Sequence, residues 1–286
     1  MKFIASILVF VIYQFSELKF MNYQLVIFLN LFLILSIGIL HGSNDLVIYK
    51  KVTGVKWKYL IINYVLVGLL FFAAYFISPF ICVLLFVLVS AYHFGEELYE
   101  SDGLSFSWIH KLSLGLLIFL MMFVLNAAEF DIVLFDLTGT ENSSILLISL
   151  TIASGLLYLI YLGATLLKKQ VSVKVAVSQI INLAFMALLF YGLNLFTSFT
   201  VFFVFWHSLP SLSSQMKRLY KENKTWLKYV KDAAPIYMIS LLGIAIGYVL
   251  TYNQTYFYHF ALLIAIIVTV PHIIIIHKLY GDKQAT

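Results

Sequence analysis

Long runs of apolar residues without a charge dominate this sequence. Clear examples are Met21–Leu40, Tyr59–Ile77, Ile145–Leu167 and Ala261–Ile276. A helix of about 20 such residues crosses the roughly 30 Å hydrocarbon core of a bilayer. Only 11% of the 286 residues are charged, whereas an ordinary soluble domain has about 25%. A water-soluble fold could not bury this much apolar surface, so the sequence predicts a helical membrane protein.

The apolar runs and their breakers place about ten spans along the chain. They cover approximately residues 3–16, 22–41, 58–78, 80–96, 107–127, 144–167, 173–192, 195–217, 233–252 and 256–278. We therefore predict an all-α polytopic transmembrane bundle of about ten spans, with eight or nine as the alternatives. No soluble domain or repeat interrupts the pattern, so residues 1–286 are expected to form a single integral membrane domain.

The loop charges predict an orientation. Lysine and arginine concentrate in the loops after spans two, six and eight, whereas the loop after span five is acidic: Glu129, Asp131, Asp136 and Glu141. Cytoplasmic loops retain basic residues, so both termini are predicted to be cytoplasmic, with Lys19 as the only one of 18 basic residues outside. The net charge of +5 is thus interpreted as a topology signal and not as a nucleic-acid site. We expect a multi-pass protein of the inner cell membrane.

Four histidines fall at the same predicted depth. His41, His93, His207 and His272 lie in the inner parts of four different spans. An ionisable residue inside a span is costly and is a functional candidate by default. Imidazole ligates iron, copper, zinc and nickel, and Cys82 is the only cysteine, so four converging histidines favour a metal bound without thiolates. The alternative is that each histidine caps a helix or bonds a neighbouring backbone.

Carboxylates accompany two of these histidines. Asp45 follows His41 by four residues, and Glu96 and Glu97 follow His93 closely. Neutral nitrogen ligands leave the charge of a divalent ion uncompensated, so these carboxylates are expected to orient a histidine or to balance charge.

The other three histidines are weaker candidates for a metal. His110, beside Lys111, and His277 are interpreted as interfacial. His259 lies on the opposite side of the membrane.

Four short motifs carry a family resemblance. They are His41-Gly-Ser-Asn-Asp45, His93-Phe-Gly95, Trp206-His207-Ser208-Leu209 and Pro271-His272. Together, in this order and at span ends, they resemble the bacterio-opsin-related (Brp/Blh) family of membrane β-carotene 15,15′-dioxygenases. The resemblance extends over nearly the whole chain.

The resemblance implies an Fe²⁺-dependent oxygenase that cleaves the central double bond of β-carotene with O₂. The products would be two molecules of all-trans-retinal, with a microbial rhodopsin as the recipient. One position departs from the family, which often has a second histidine one turn after the tryptophan-histidine run. Ser211 stands there, so we expect His272 as the fourth ligand or an altered site.

The implied substrate dissolves in the bilayer, so entry between helices into an apolar tunnel is expected. Tyr92, Phe94, Phe205 and Trp206 flank two proposed ligands and are candidates to line that tunnel. Two alternatives to an oxygenase stay open. One is a non-catalytic membrane protein that handles carotenoid or retinal, and the other is a membrane haem protein that uses the same histidines.

Overall fold

The computed structural model describes residues 2–17, 23–54, 57–100, 106–141, 143–220, 226–251 and 257–281. Within these ranges all regular structure is helical, which confirms the predicted class. The helices are α1 Lys2–Glu17, α2 Tyr23–Leu33, α3 Ile39–Gly42, α4 Asp45–Thr53, α5 Trp57–Ile77, α6 Pro79–Glu100, α7 Trp108–Leu125, α8 Ala127–Thr138, α9 Ser144–Leu167, α10 Val173–Gly192, α11 Leu195–Val201, α12 Leu209–Tyr220, α13 Trp226–Thr251 and α14 Phe257–Gly281. Two π-helical segments, Ile34–Gly38 and Phe202–Ser208, join α2 to α3 and α11 to α12.

The described helices account for the predicted spans. Eight of the helical stretches in the described ranges are long and apolar enough to cross a membrane, and two shorter apolar stretches cover Lys2–Gln14 and Leu262–His277. Together they coincide in position with the ten predicted spans, so the chain is a multi-pass membrane protein. The orientation of the termini stays a prediction, and Lys19 lies outside the described residues.

Large apolar side chains cover the outside of the spans. Leu70 of α5, Ile160 of α9 and Leu188 of α10 are each exposed over about two thirds of their surface, at 67%, 67% and 68%. Contiguous apolar surface of this kind is rare on water-soluble monomers. In a bilayer it faces lipid tails, which are as apolar as leucine.

The segment after α7 differs from its prediction. It is expected to be an acidic loop, but most of it folds as α8. The Glu129 carboxylate lies in the first turn of α8 and accepts a hydrogen bond from the backbone N–H of Leu195 at 2.8 Å. An acidic residue there is favoured by the helix dipole and also satisfies a donor at the start of α11. The acidic residues of this segment therefore include one that favours a helix start, while the outer position of the segment stays a prediction.

The described chain forms two compact units. The first comprises Met1–Ile34, Ser90–Phe135 and Thr140–His207. In this unit α7 packs against α9, α10 and α11, while α1 packs against α2 and α10. Its buried core includes Ile118 and Met122 of α7.

The second unit comprises Leu35–Val89, Asp136–Gly139 and Ser208–Thr286. In this unit α14 packs against α3, α4, α5 and α13, and α3 also contacts α12 and α13. The core consists of Ile48, Tyr49, Leu60, Leu212, Leu219, Tyr229, Ala233, Ile275, Ile276 and Leu279. The expectation of one integral domain over the whole chain stays a prediction.

Candidate metal centre

Two of the four candidate histidines come together in the first unit. His93 and His207 are both buried, and their ring centroids lie 5.0 Å apart. The buried Glu97 carboxylate places Oε2 2.7 Å from His207 Nδ1 and 4.0 Å from His93 Nε2. We call these three residues the His93 cluster.

Helix geometry explains how the His93 cluster forms. His93 and Glu97 are four residues apart on α6, so they share one face of the helix. His207 lies inside the π-helical segment Phe202–Ser208. A π segment adds a residue to a helical turn and rotates the side chains that follow, and such segments are frequent at functional sites.

The other two candidate histidines come together in the second unit. His41 and His272 are buried, with ring centroids 4.8 Å apart. His272 Nδ1 lies 2.7 Å from Asp45 Oδ1, and the other Asp45 oxygen accepts a hydrogen bond from the Tyr64 hydroxyl. We call these four residues the His272 cluster.

A break in the helix builds the His272 cluster. Helix α3 ends at Gly42, and α4 begins at Asp45 after a short turn through Ser43 and Asn44. The segment is therefore not continuously helical, and the carboxylate expected to follow His41 by one turn lies against His272 instead. A Cβ on Gly42 would lie 3.8 Å from His272 Nδ1, an ordinary contact.

In two of the four histidines, Nδ1 is hydrogen-bonded to an oxygen acceptor, whereas the 2.7 Å contact of His207 Nδ1 with Glu97 lacks hydrogen-bond geometry. His41 Nδ1 bonds the Gly38 carbonyl oxygen, and His272 Nδ1 bonds Asp45 Oδ1. A carbonyl or carboxylate oxygen can only accept, so Nδ1 carries the proton and Nε2 carries the lone pair in the neutral ring. Metal-bound histidines are held in this way, with the other ring nitrogen bonded to a carboxylate or a backbone carbonyl.

The His93 cluster fits a divalent metal ion. One ligand atom from each of His93, Glu97 and His207 lies within 4.8 Å of the others, and all three residues are buried. Nitrogen and carboxylate donors without thiolate suit iron, and two histidines with one carboxylate form a recurring donor set of non-haem Fe(II) oxygenases. A buried carboxylate beside two imidazoles also offsets the charge that a metal brings into a low-dielectric site.

Glu96 has one partner on α7 and one on its own helix, α6. Its Oε1 accepts hydrogen bonds from Lys111 Nζ and from the Tyr92 hydroxyl, both at 3.1 Å. Glu96 and Lys111 are buried. The interpretation of His110 as interfacial, because Lys111 is its neighbour, does not anticipate that Lys111 is buried. An ionisable residue next to an apolar run was the available signal.

His110 is also buried in the first unit. Its Nε2 lies 2.9 Å from the Tyr99 hydroxyl, and the rings of Phe106, Tyr158 and Tyr161 surround it. These neighbours hold the imidazole in an aromatic setting. His259 contacts the Tyr75 hydroxyl, and His277 is exposed.

The candidate tunnel residues have different surroundings. Phe94 packs on His207, with ring centroids 4.3 Å apart. Phe205 and Trp206 are buried, and Trp206 contacts the ring of Phe3. Tyr92 is half-buried and points its hydroxyl at Glu96. The lining of a tunnel by these four residues stays a prediction.

Ser211 is buried in α12 of the second unit. Its hydroxyl oxygen accepts a hydrogen bond from Gln215 Nε2 at 3.0 Å, and Gln215 Oε1 accepts one from the Tyr229 hydroxyl at 2.6 Å. The position that could have carried a further histidine thus belongs to a hydrogen-bonded network of neutral side chains.

Comparison with known proteins identifies a family. A family model described as Beta-carotene 15,15′-dioxygenase matches residues 32–280, a range that includes both histidine clusters. No curated protein and no solved structure matches the chain.

Proposed function

The chain belongs to the beta-carotene 15,15′-dioxygenase family, and from that premise we propose that it cleaves the central 15,15′ double bond of β-carotene. The proposed reaction uses O₂ and gives two molecules of all-trans-retinal. The proposed cofactor is Fe²⁺, and the proposed location is the inner cell membrane, where a microbial rhodopsin would receive the product. The observation that carries the proposal is the buried His93 cluster within the matched range.

The proposed ligands of the iron are His41, His93, His207 and His272. Support comes from the sequence, which predicts a common depth for them, and from the Nδ1 hydrogen bonds of His41 and His272, which leave Nε2 for a metal. Glu97 is close enough to its two histidines to serve as a ligand itself, and this is the one alternative ligand set that a specific distance favours.

Bound iron would supply the binding and activation of O₂. The chain's own residues orient the histidines, provide negative charge and exclude water. Asp45 holds the Nδ1 proton of His272 and fixes its ring orientation, and Glu97 places a carboxylate charge beside His207. Phe94 packs on His207, and Phe119 and Phe202 pack on Phe94, so this aromatic group excludes water from that side of the His93 cluster.

The substrate is proposed to enter from the bilayer. β-Carotene carries no polar group, so it partitions into the hydrocarbon core and reaches the protein laterally. Phe94 touches the His207 ring, and it is the candidate residue of this chain to contact the central part of the polyene. Phe205, Trp206 and Tyr92 remain the other proposed tunnel residues.

Expression in a host that produces β-carotene tests the proposal, with chromatographic measurement of retinal. Membranes that contain the protein should form retinal, and His93→Ala and His207→Ala should form none at equal protein abundance. His277→Ala is the matched control, because His277 is exposed. Normal retinal formation in both cluster variants would refute the proposal. Loss of colour without retinal would favour a carotenoid-handling protein or bleaching.

A further inference from the structure

Two adjacent carboxylates of α6 have different partners. Glu97 lies against His207, whereas Glu96 lies against Lys111 and Tyr92. Consecutive helical residues point about 100° apart, so one helix turn can direct one carboxylate to the histidines and the other to α7. Both side chains are buried, with at most 4% of their surface exposed.

Lys111 sits at a close crossing of α6 and α7. A Cβ on Gly95 would overlap the backbone carbonyl oxygen of Lys111, and a Cβ on Gly115 would overlap that of Ala91. Only glycine permits such backbone contact. The two contacts flank His93 on α6, and the Lys111 side chain adds a buried ion pair at the same crossing.

The ion pair determines what Glu96 can do. A buried carboxylate without a counter-charge is strongly destabilising, and it seeks another cation, a proton or a metal. With the Lys111 ammonium 3.1 Å from Oε1, Glu96 already has its cation. Removing both partners of a buried pair is far less harmful than removing one.

We propose that Lys111 is a positioning residue that holds Glu96 away from the metal, so that of the two adjacent carboxylates only Glu97 serves the metal site. It acts by anchoring α6 to α7 at the turn that carries His93 and Glu97. This inference rests on the proposed metal site in the His93 cluster and adds to it the division of labour between the two carboxylates.

Cobalt(II) binding to the purified full chain in detergent provides the test, because it reports metal affinity and ligand-field absorption independently of turnover. Lys111→Met should leave Glu96 uncompensated, lower cobalt affinity at least tenfold and alter the absorption bands. Lys111→Arg should retain both properties, because it keeps the charge. The double variant Glu96→Gln with Lys111→Met should return to within about threefold of the unmodified affinity, with the original bands.

A second double variant is the matched control. Glu97→Gln should weaken cobalt binding by itself, and adding Lys111→Met should not repair it, because Lys111 compensates Glu96 only. A folding defect in Lys111→Met would also appear in this second double variant, since both leave Glu96 uncompensated. Lys111→Arg and the neutral double variant Glu96→Gln with Lys111→Met then provide the test, and loss of cobalt binding in either would overturn the inference.

Three outcomes separate the possibilities. Unchanged cobalt binding in Lys111→Met, or no recovery on adding Glu96→Gln, would overturn the inference while a loss in Glu97→Gln upheld the metal site. A stability change in Lys111→Met without a change of affinity or spectrum would reduce the pair to a structural role and also overturn it. Unchanged binding in Glu97→Gln would overturn the metal site and the inference together.

Discussion

The two histidine clusters each place a carboxylate beside buried histidines, but they do so with different local structures. In the His93 cluster the carboxylate comes from the same helical face as one histidine and touches the other histidine directly. In the His272 cluster a helix break delivers Asp45, which bonds His272 on one oxygen and Tyr64 on the other. His41 is held by a backbone carbonyl instead.

The difference concerns how charge is distributed. Glu97 contacts histidines with a single oxygen, Oε2, within 4.0 Å of both. Asp45 divides its two oxygens between an imidazole and a phenol. The His93 cluster is therefore suited to balance the charge of a metal, and the His272 cluster is suited to fix a ring. The variants below are ordered from the largest expected effect to the smallest.

Removing a proposed ligand should have the largest effect. His207→Ala deletes an imidazole from a buried site, and we expect retinal formation to fall by at least about a thousandfold, together with loss of bound metal. Chromatography of retinal and metal analysis of the purified protein measure the two losses. His41→Ala, in the other cluster, should have the same effect; retained metal in that variant would confine the site to the His93 cluster.

Adding a methyl group to a glycine should cost more stability near the His93 cluster than near the His272 cluster. Gly95→Ala places Cβ on the Lys111 carbonyl oxygen, and such overlap with backbone should cost more than about 3 kcal/mol of stability. Gly42→Ala meets His272 at ordinary contact distance and should change stability by less than about 1 kcal/mol. Thermal unfolding in detergent measures both, and equal losses would contradict the close crossing of α6 and α7.

The spans followed from the sequence, but the tilt and contacts of individual turns did not. Uncharged apolar runs predicted the positions of all ten apolar stretches, because a bilayer demands this length and composition. The π segments near His41 and His207 leave no trace in composition. The position of Lys111 in the sequence is typical of a loop lysine. Its burial depends on contacts with Gly95 and Glu96, which form only when α6 packs on α7.

Neutralising the carboxylate of each cluster should show which charge contributes more to metal affinity. Glu97→Gln keeps the size of the side chain beside His207 but removes its charge, and we expect about a hundredfold loss of metal affinity. Asp45→Asn should lose about tenfold, because its role is mainly orientation. Metal titration of the purified variants gives both values, and a larger loss at Asp45 would reverse the proposed assignment.

The smallest effect should come from Tyr64→Phe. This change deletes the hydroxyl that donates to Asp45 and leaves the His272 contact in place. Loss of one such hydrogen bond is worth about 1 kcal/mol, or about fivefold in metal affinity. Tyr92→Phe is the corresponding change at Glu96; because Lys111 holds that carboxylate, it should alter affinity less than twofold, and a larger loss there would place Glu96 at the metal.

Metal analysis of the purified protein after growth with iron tests the central claim most directly. The account predicts about one iron per chain, lost in His93→Ala and in His41→Ala but kept in His277→Ala. Iron retained in both cluster variants, or retinal formed by protein that holds no iron, would contradict it.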